Sequence, residues 1–375
     1  MSSTEISRST SIIIHQPRTG VYHYGWKKRL LKRLVAWIVS LSVIFSLFFM
    51  GFLYASFEPF VMIRSLWVTS AMTTMNHQYL ATWFFSDAQI KEIQRSNNAV
   101  ILGNSTPSDI NTLSSDSNSP NTSNSNTVSS GSNDGSDSWY SNTPSSGGHN
   151  GTELIDVSRN GFKGYLLKVN DPARVKVVAT RYLGTRGEKA EEIAKETDAV
   201  AVINGGVFSD TNGKGNGGQP LGILISGGNI LYKDPLTTFD IIGLDRNNVL
   251  VLGHYTLAQI NQMGIRDAVT FSPFLVVNGK PAITHGDGGW GIAPRTAIGQ
   301  TRDGTILMMV IDGRQIGSIG ATLKDVQDIM LEYGAYNVAN LDGGSSTVLY
   351  YDKQMVNHPS SNYGERLAPS FFIVK

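Results

Sequence analysis

Two short elements of the chain combine a polar side chain with paired glycines where an apolar run stops. NGGVF (204–208) follows AVAVI, and DGGSST (342–347) follows VANL. Asn204, Gly205 and Gly206 in the first, and Asp342, Gly343 and Gly344 in the second, fall at the C-terminal end of an expected strand, a common place for ligand contacts in α/β sheets. Glycines there let backbone N–H groups converge on an anion. Ser345, Ser346 and Thr347 add three hydroxyls to the second element. A pair of bare turns is the alternative, and the repetition of the pattern weakens it.

Three further segments carry charge. APRTAIG (293–299) places Arg295 just before a hairpin, and IDGR (311–314) ends an apolar run at Asp312, followed by Gly313 and Arg314. NHPSSNYGERLAP (357–369) is a polar loop with Glu365 and Arg366. Each arginine alone reads as a surface or structural ion pair. Together the segments supply carboxylates (Asp312, Asp342, Glu365) and guanidinium groups able to grip a phosphate through two N–H bonds (Arg295, Arg366). His254, His285 and His358 are scattered without an H-x-x-x-H pair and read as ordinary surface or core histidines, although His285 beside Asp287 stays open as a loop or substrate contact. No EF-hand pattern, P-loop or strand-linked G-x-G-x-x-G is present, so the reading has no metal and no cofactor. Calcium on the carboxylate-rich glycine loops is the alternative.

These residues need a scaffold, and residues 153–375 read as one domain that supplies it. Apolar, β-branched runs recur at 175–180, 199–203, 221–225, 274–277, 306–311, 338–341, 347–351 and 371–374. Asn278-Gly279 and Asp303-Gly304 sit between such runs and predict hairpin turns. GEKAEEIAKETD (187–198) predicts a helix. So does ATLKDVQDIMLEYG (321–334), with Thr322 as N-cap, Asp325 completing a capping box and Gly334 as the stop. Strands outnumber helices, and the 39 glycines speak against a helical bundle. The expectation is α+β, a mixed sheet with several hairpins and a few helices.

The N-terminal part is different material. Residues 34–57 run without a charge, long enough for a helix to cross a hydrocarbon core of about 30 Å. Lys27, Lys28, Arg29, Lys32 and Arg33 precede the run and Glu58 follows it, which predicts a single-pass anchor held in the bilayer through Leu34–Phe57. Its N-terminal arm (1–33) would be cytoplasmic and the C-terminal domain extracellular. A cleaved signal peptide is the rival, with a typical apolar core of only about 7–15 residues. Residues 58–100 predict a juxtamembrane helical stalk, in which Ser86 caps SDAQIKEI. Residues 101–152 are rich in Ser, Asn, Gly and Thr and read as a flexible linker. With 0 cysteines the chain has no disulfide and no thiol nucleophile, and a net charge of +1 gives no reason to expect nucleic acid as a partner.

NGGVF, PFLVVNGK, PRTAIGQTRDG, MMVIDGR, TLKDVQDIMLEYGA, NLDGGSSTV and the closing Glu-Arg segment, in this order, resemble the phosphodiester glycosidase (NAGPA-like) domain family. The resemblance covers about residues 160–375. It implies that Asn204, Arg295, Asp312, Asp342, Ser345, Ser346, Thr347, Glu365 and Arg366 line a pocket for a sugar-1-phosphodiester. One departure is visible: the family usually carries three glycines after the aspartate, and this chain has Gly343 and Gly344 only. A phosphate leaving from C1 of a sugar needs charge stabilisation more than a proton, which Arg295, Arg366 and the hydroxyl loop would supply. An oxocarbenium-like centre needs a carboxylate, with Asp342 first and Asp312 or Glu365 second. The expected substrate is a surface glycan, a teichoic-acid-like polymer or a decorated lipid-linked sugar. A phosphodiesterase cutting P–O and a non-catalytic glycan-binding module remain the alternatives.

Overall fold

The structure is a computed structural model that describes residues 22–74, 77–97, 151–210, 215–361 and 364–375. The expected N-terminal arm up to residue 21 and nearly all of the expected linker lie outside the described residues. The described residues form two compact units, Met1–Val61 and Met62–Lys375.

The first unit is dominated by helix α1 (Tyr22–Tyr54). Its stretch Lys28–Tyr54 is long and apolar enough to cross a bilayer, and none of its most apolar window is buried by protein. Trp37 (76% exposed) and Leu41 (69%) have no protein environment to fill. Such a helix fits a single-pass anchor or a signal sequence.

In the second unit every strand pair is antiparallel. One sheet of seven strands runs in the order β1 (Thr152–Asp156), β2 (Gly164–Val169), β13 (Ile306–Ile311), β12 (Arg295–Thr301), β14 (Ala335–Leu341), β10 (Phe274–Val277) and β11 (Lys280–Pro281). A second sheet orders β16 (Gln354–Met355), β15 (Leu349–Tyr351), β4 (Ala201–Asn204), β17 (Ser370–Val374) and β3 (Val175–Ala179). The third orders β6 (Asn229–Lys233), β5 (Ile223–Ser226), β9 (Ile265–Val269), β7 (Thr238–Asp245) and β8 (Leu250–Thr256). The α+β class is as expected, but the mixed sheet is replaced by three antiparallel ones. Hairpins and long returns from the opposite direction make these pairs, so the crossovers that parallel neighbours require are not needed.

Burial follows the period of two. Along β13, Ile306, Met308 and Val310 enter a core shared with the other two sheets. Leu307, Met309 and Ile311 point the other way, into a core closed by helix α7 (Leu323–Glu332). That double burial explains why ILMMVI has no polar alternation. Helix α7 starts where expected: Thr322 accepts from the Asp325 amide, while the Asp325 carboxylate accepts from the Thr322 amide. Helix α5 (Ala190–Thr197) covers the outer face of the second sheet with Ile193 and Ala194, and α6 (Leu257–Gln262) covers the third with Ile260. The Asn278-Gly279 turn between β10 and β11 has positive φ at both residues (54° and 74°), as a type I′ hairpin requires.

The segment read as a juxtamembrane helical stalk packs, from Met62 onward, into this second unit. Past its first residues, α2 (Phe60–Met72) carries Val68, Thr69 and Ala71 buried, and α3 (Tyr79–Thr82) and α4 (Asp87–Asn97) follow. Ser86 and Gln89 exchange capping bonds at the start of α4. The Thr69 hydroxyl donates to the Asp287 carboxylate (2.8 Å), and the Ile292 amide donates to the Ser70 hydroxyl (2.9 Å).

Candidate active site

β13 and β14 both pair antiparallel with β12, so they run in the same direction and end at the same edge. Ile311 lies opposite Arg295, and Leu341 opposite Thr296. Asp312 and Asp342 therefore leave the sheet on either side of the start of β12. From the second sheet, Asn204 at the end of β4 reaches across: its Nδ2 donates to the Asp342 carbonyl (2.5 Å), and its Oδ1 accepts from the Thr296 hydroxyl and the Val348 amide.

After Asp342 the chain must turn back over Pro294. A Cβ on Gly343 would lie 2.8 Å from the Pro294 carbonyl, so a side chain there has no room. Gly344 sits at φ +61°, donates to that carbonyl (2.9 Å) and opens the single 3₁₀ turn Gly344–Ser346. Ser345 has no positive φ, so two glycines suffice for this turn.

The loop borders a cavity of about 590 Å³. Asp342, Ser345, Ser346, Arg314 and Arg366 line it, with Trp290 and Phe271 as an aromatic wall and Asp210 beside Arg366. Asp342 faces this space. Burial pushes its pKa up to about 6, against the lowering effects of the Ser346 hydroxyl, the Arg366 charge and the Gly343 amide; Asp210 adds to the rise. Arg366 is held by an ion pair to Asp210 and by donating to the Ser345 hydroxyl (3.1 Å), with its guanidinium over the Phe208 ring. Arg314, at φ +60°, has its guanidinium close to Gly344; among the described residues it has no carboxylate partner, and desolvation lowers its pKa. The buried Asn340 also lines the cavity, and its Oδ1 has no hydrogen-bond partner among the described residues. A carboxylate with a raised pKa, two guanidinium groups, hydroxyls and an aromatic wall form a set suited to a sugar bearing an anionic ester.

Several residues singled out from the sequence are occupied elsewhere. Asp312 is buried (3% exposed) and accepts from Asn357 Nδ2 (3.0 Å) and from the His358 amide, which makes it the anchor of the terminal loop. Glu365 accepts from the Ala190 amide at the start of α5; burial raises its pKa to about 7. Arg295 spends Nε on the Ala321 carbonyl and Nη2 on the Trp290 and Gly291 carbonyls, while burial depresses its pKa to about 10. It touches the cavity but holds the wall rather than offering a free fork. Most backbone amides of the two glycine elements are bonded within the protein. Gly205 and Gly206 donate to Ser370, Gly344 to Pro294, Ser346 to Gly343 and Thr347 to Gly344, so these amides are already satisfied. Thr347 is buried behind the loop (1% exposed). Among the described residues, no three His, Asp or Glu side chains converge as metal ligands would.

Arg314, Asp210, Trp290, Phe271 and Asn340 were not singled out for the site. Arg314 had a signal, since it follows Asp312 directly in IDGR. The others join the cavity only through folding. Thr73 and Gln94 reach it from the end of α2 and from α4. Those helices rest on the loop 284–292, where the Asp287 carboxylate binds Thr69 together with the amides of Gly289 and Gly291. That loop in turn supplies Trp290 and the carbonyls that bind Arg295.

Comparison with known proteins agrees with this architecture. Residues 197–375 match the family model described as phosphodiester glycosidase. The SPbeta prophage-derived uncharacterized protein YomE of Bacillus subtilis is 30% identical over 195 residues, covering 48% of this chain and 28% of that protein. The N-acetylglucosamine-1-phosphodiester alpha-N-acetylglucosaminidase of Bos taurus is 24% identical over 194 residues, covering 47% and 36% respectively. The chain thus spans little more than a third, at most, of the length of these curated relatives. The zebrafish N-acetylglucosamine-1-phosphodiester alpha-N-acetylglucosaminidase catalytic domain, auto-inhibited by pro-peptide, superposes with a TM-score of 0.51 at 21% identity, covering 62% of this chain and 87% of that one; it shares the fold. Residues 197–375 of this chain are thus similar to the phosphodiester glycosidase domain.

Proposed function

We propose that the C-terminal domain hydrolyses the C1–O bond of a sugar-1-phosphodiester, with an N-acetylhexosamine as the sugar. The observation that carries this reading is the Asp342 carboxyl, with its pKa raised to about 6, facing a cavity that also presents Arg314 and Arg366. In the reaction the C1–O bond breaks and its electron pair leaves with the phosphate, which becomes a monoester. Arg314 and Arg366 stabilise that charge. Asp342 stabilises the electron-poor C1, either as nucleophile or as base for water; water supplies the new C1–OH, and its other proton ends on the phosphate or in solvent. Trp290 and Phe271 offer apolar faces to the sugar ring. The helix α1 holds the domain at the outer face of a membrane, in keeping with the basic residues before the apolar run and Glu58 after it.

Incubation of the full chain with an N-acetylglucosamine-1-phosphodiester in ¹⁸O-water tests this. The expected result is released sugar carrying the label. Label on the phosphate would replace C–O by P–O cleavage, and no product from a panel of sugar-1-phosphodiesters would leave a glycan-binding module.

A further inference from the structure

A second and larger cavity, of about 1070 Å³, meets the first at Arg314, Ser345 and Arg366, which line both. Away from that junction its character changes. Ile63, Leu66 and Trp67 on α2 and Leu80 on α3 form one wall, with Ile292 and Leu367 from the β-domain. The Trp67 indole donates to the Leu80 carbonyl (3.0 Å) and so ties the two helices of that wall together. Even so, Trp67 stays 41% exposed and Ile63 36%. Large apolar side chains left open to a cavity mark a binding surface more than a finished core. Charge at the cavity is mainly positive, with Lys189, Arg314 and Arg366 against Glu365.

A phosphodiester has two arms. If the sugar occupies the Asp342 cavity and the phosphate lies at the two arginines, the second arm leaves toward this apolar space. A polyol or second sugar there would find Ser70, Thr74, His77, Ser360 and Ser361 for some hydroxyls but would leave the larger, apolar part of the lining wet. We propose that the second cavity receives a hydrocarbon chain, so that the substrate is an amphiphilic sugar-1-phosphodiester with an alkyl, acyl or isoprenoid aglycone. This inference rests on the hydrolase reading for the orientation of the substrate. The apolar wall is also near the bilayer-length helix in sequence: α1 ends at Tyr54, and the wall begins at Ile63. Hydrolysis would release the free sugar and leave the lipid as its phosphate monoester.

The test uses the full chain in lipid nanodiscs, with empty nanodiscs as the blank. Calorimetric titration with a series from methyl phosphate to octyl phosphate should show affinity rising by up to about fourfold per methylene. The doubly substituted chain Ile63→Asn with Leu66→Asn should keep the wild-type affinity for methyl phosphate and lose most of the chain-length slope. If that variant loses methyl phosphate binding as well, Leu367→Asn, on the β-domain part of the lining, takes its place. In parallel, kcat/KM is measured on N-acetylglucosamine-1-phosphodiesters with methyl, glycerol and octyl aglycones, and should be highest for octyl. A flat alkyl series, or an aglycone preference for glycerol, overturns the proposal even if turnover is found. A chain-length slope that both wall variants keep also overturns it. Affinity that rises with chain length and falls in the variants, with no turnover of any diester, leaves the hydrocarbon site standing and removes the hydrolase reading.

Discussion

Asp312 and Asp342 end two strands that flank β12, each after a run of buried apolar residues and each followed by glycine. Burial raises the pKa of both. They differ in what answers that burial. Around Asp312 the protein supplies Asn357 Nδ2 and the His358 amide, so the carboxylate is consumed in holding the terminal loop. Around Asp342 it supplies the Ser346 hydroxyl and the Gly343 amide, and leaves one side open to a cavity with two guanidinium groups. A saturated buried acid is structural cement; an undersatisfied one beside a cavity is available for chemistry.

The comparison breaks most sharply in turnover. Asp342→Asn should lower kcat on an N-acetylglucosamine-1-phosphodiester by on the order of 10³-fold with substrate binding retained. If Asp312→Asn lost as much rate while Asp342→Asn kept most of it, the assignment of the two acids would be reversed.

Stability should move the other way. Asp312→Ala strands the Asn357 amide and the His358 N–H in a buried site, and should cost roughly 2–4 kcal/mol in denaturant unfolding, with loosening of residues 357–361. Asp342→Asn should stabilise at pH 8. A carboxyl whose folded pKa is raised contributes stability that is complete below the usual aspartate value and lost as pH rises through about 6. The amide escapes that loss, by up to roughly 3 kcal/mol. At pH 3 the two proteins should melt alike. A melting temperature lowered by Asp342→Asn at pH 8 would show that the carboxylate is held as firmly as that of Asp312.

The same titration should shape the rate. With the ionised Asp342 required, kcat/KM falls on the acid side, about tenfold per pH unit below pH 6, and Asp312→Asn keeps that limb. An acid limb near pH 4 would sink the link between burial and activity. The smallest effect is expected from Arg314→Ala, which should raise KM about 10- to 30-fold with little change in melting temperature, because this arginine has no carboxylate partner to strand among the described residues.

Much of the scaffold was legible in the sequence because it depends on neighbours. The runs 274–277 and 306–311 are strands with those bounds, Asn278-Gly279 turns between two strands, and the Thr322–Asp325 box opens a helix. Strands such as β12 (RTAIGQT) and β7 (TFDIIGLD) were not read. Their Arg, Thr, Gln and Gly break the apolar pattern and become buried only through partners supplied by tertiary contacts. Within the candidate site, the Asp342 loop, its serines and Arg366 were singled out from the sequence, and the structure brings them to one cavity. Asp312, Glu365 and Arg295 carried the same residue types, and nothing local shows that Asn357, Ala190 or the Trp290 carbonyl will take them.

By itself, then, the sequence determined the inventory: the α+β elements, the bilayer-length apolar helix, and a stock of acids, arginines and hydroxyls at the ends of strands. Those follow from periodicity, capping and turn chemistry, which act over a few residues. Only the tertiary structure decided which acid is left open to a cavity, and that the helices after α1 help wall it. Desolvation and hydrogen-bond supply are set by groups far along the chain, such as Asn357, which meets Asp312 across 45 positions. A carboxylate's role depends on what remains unbonded after folding, and only folding brings those groups together.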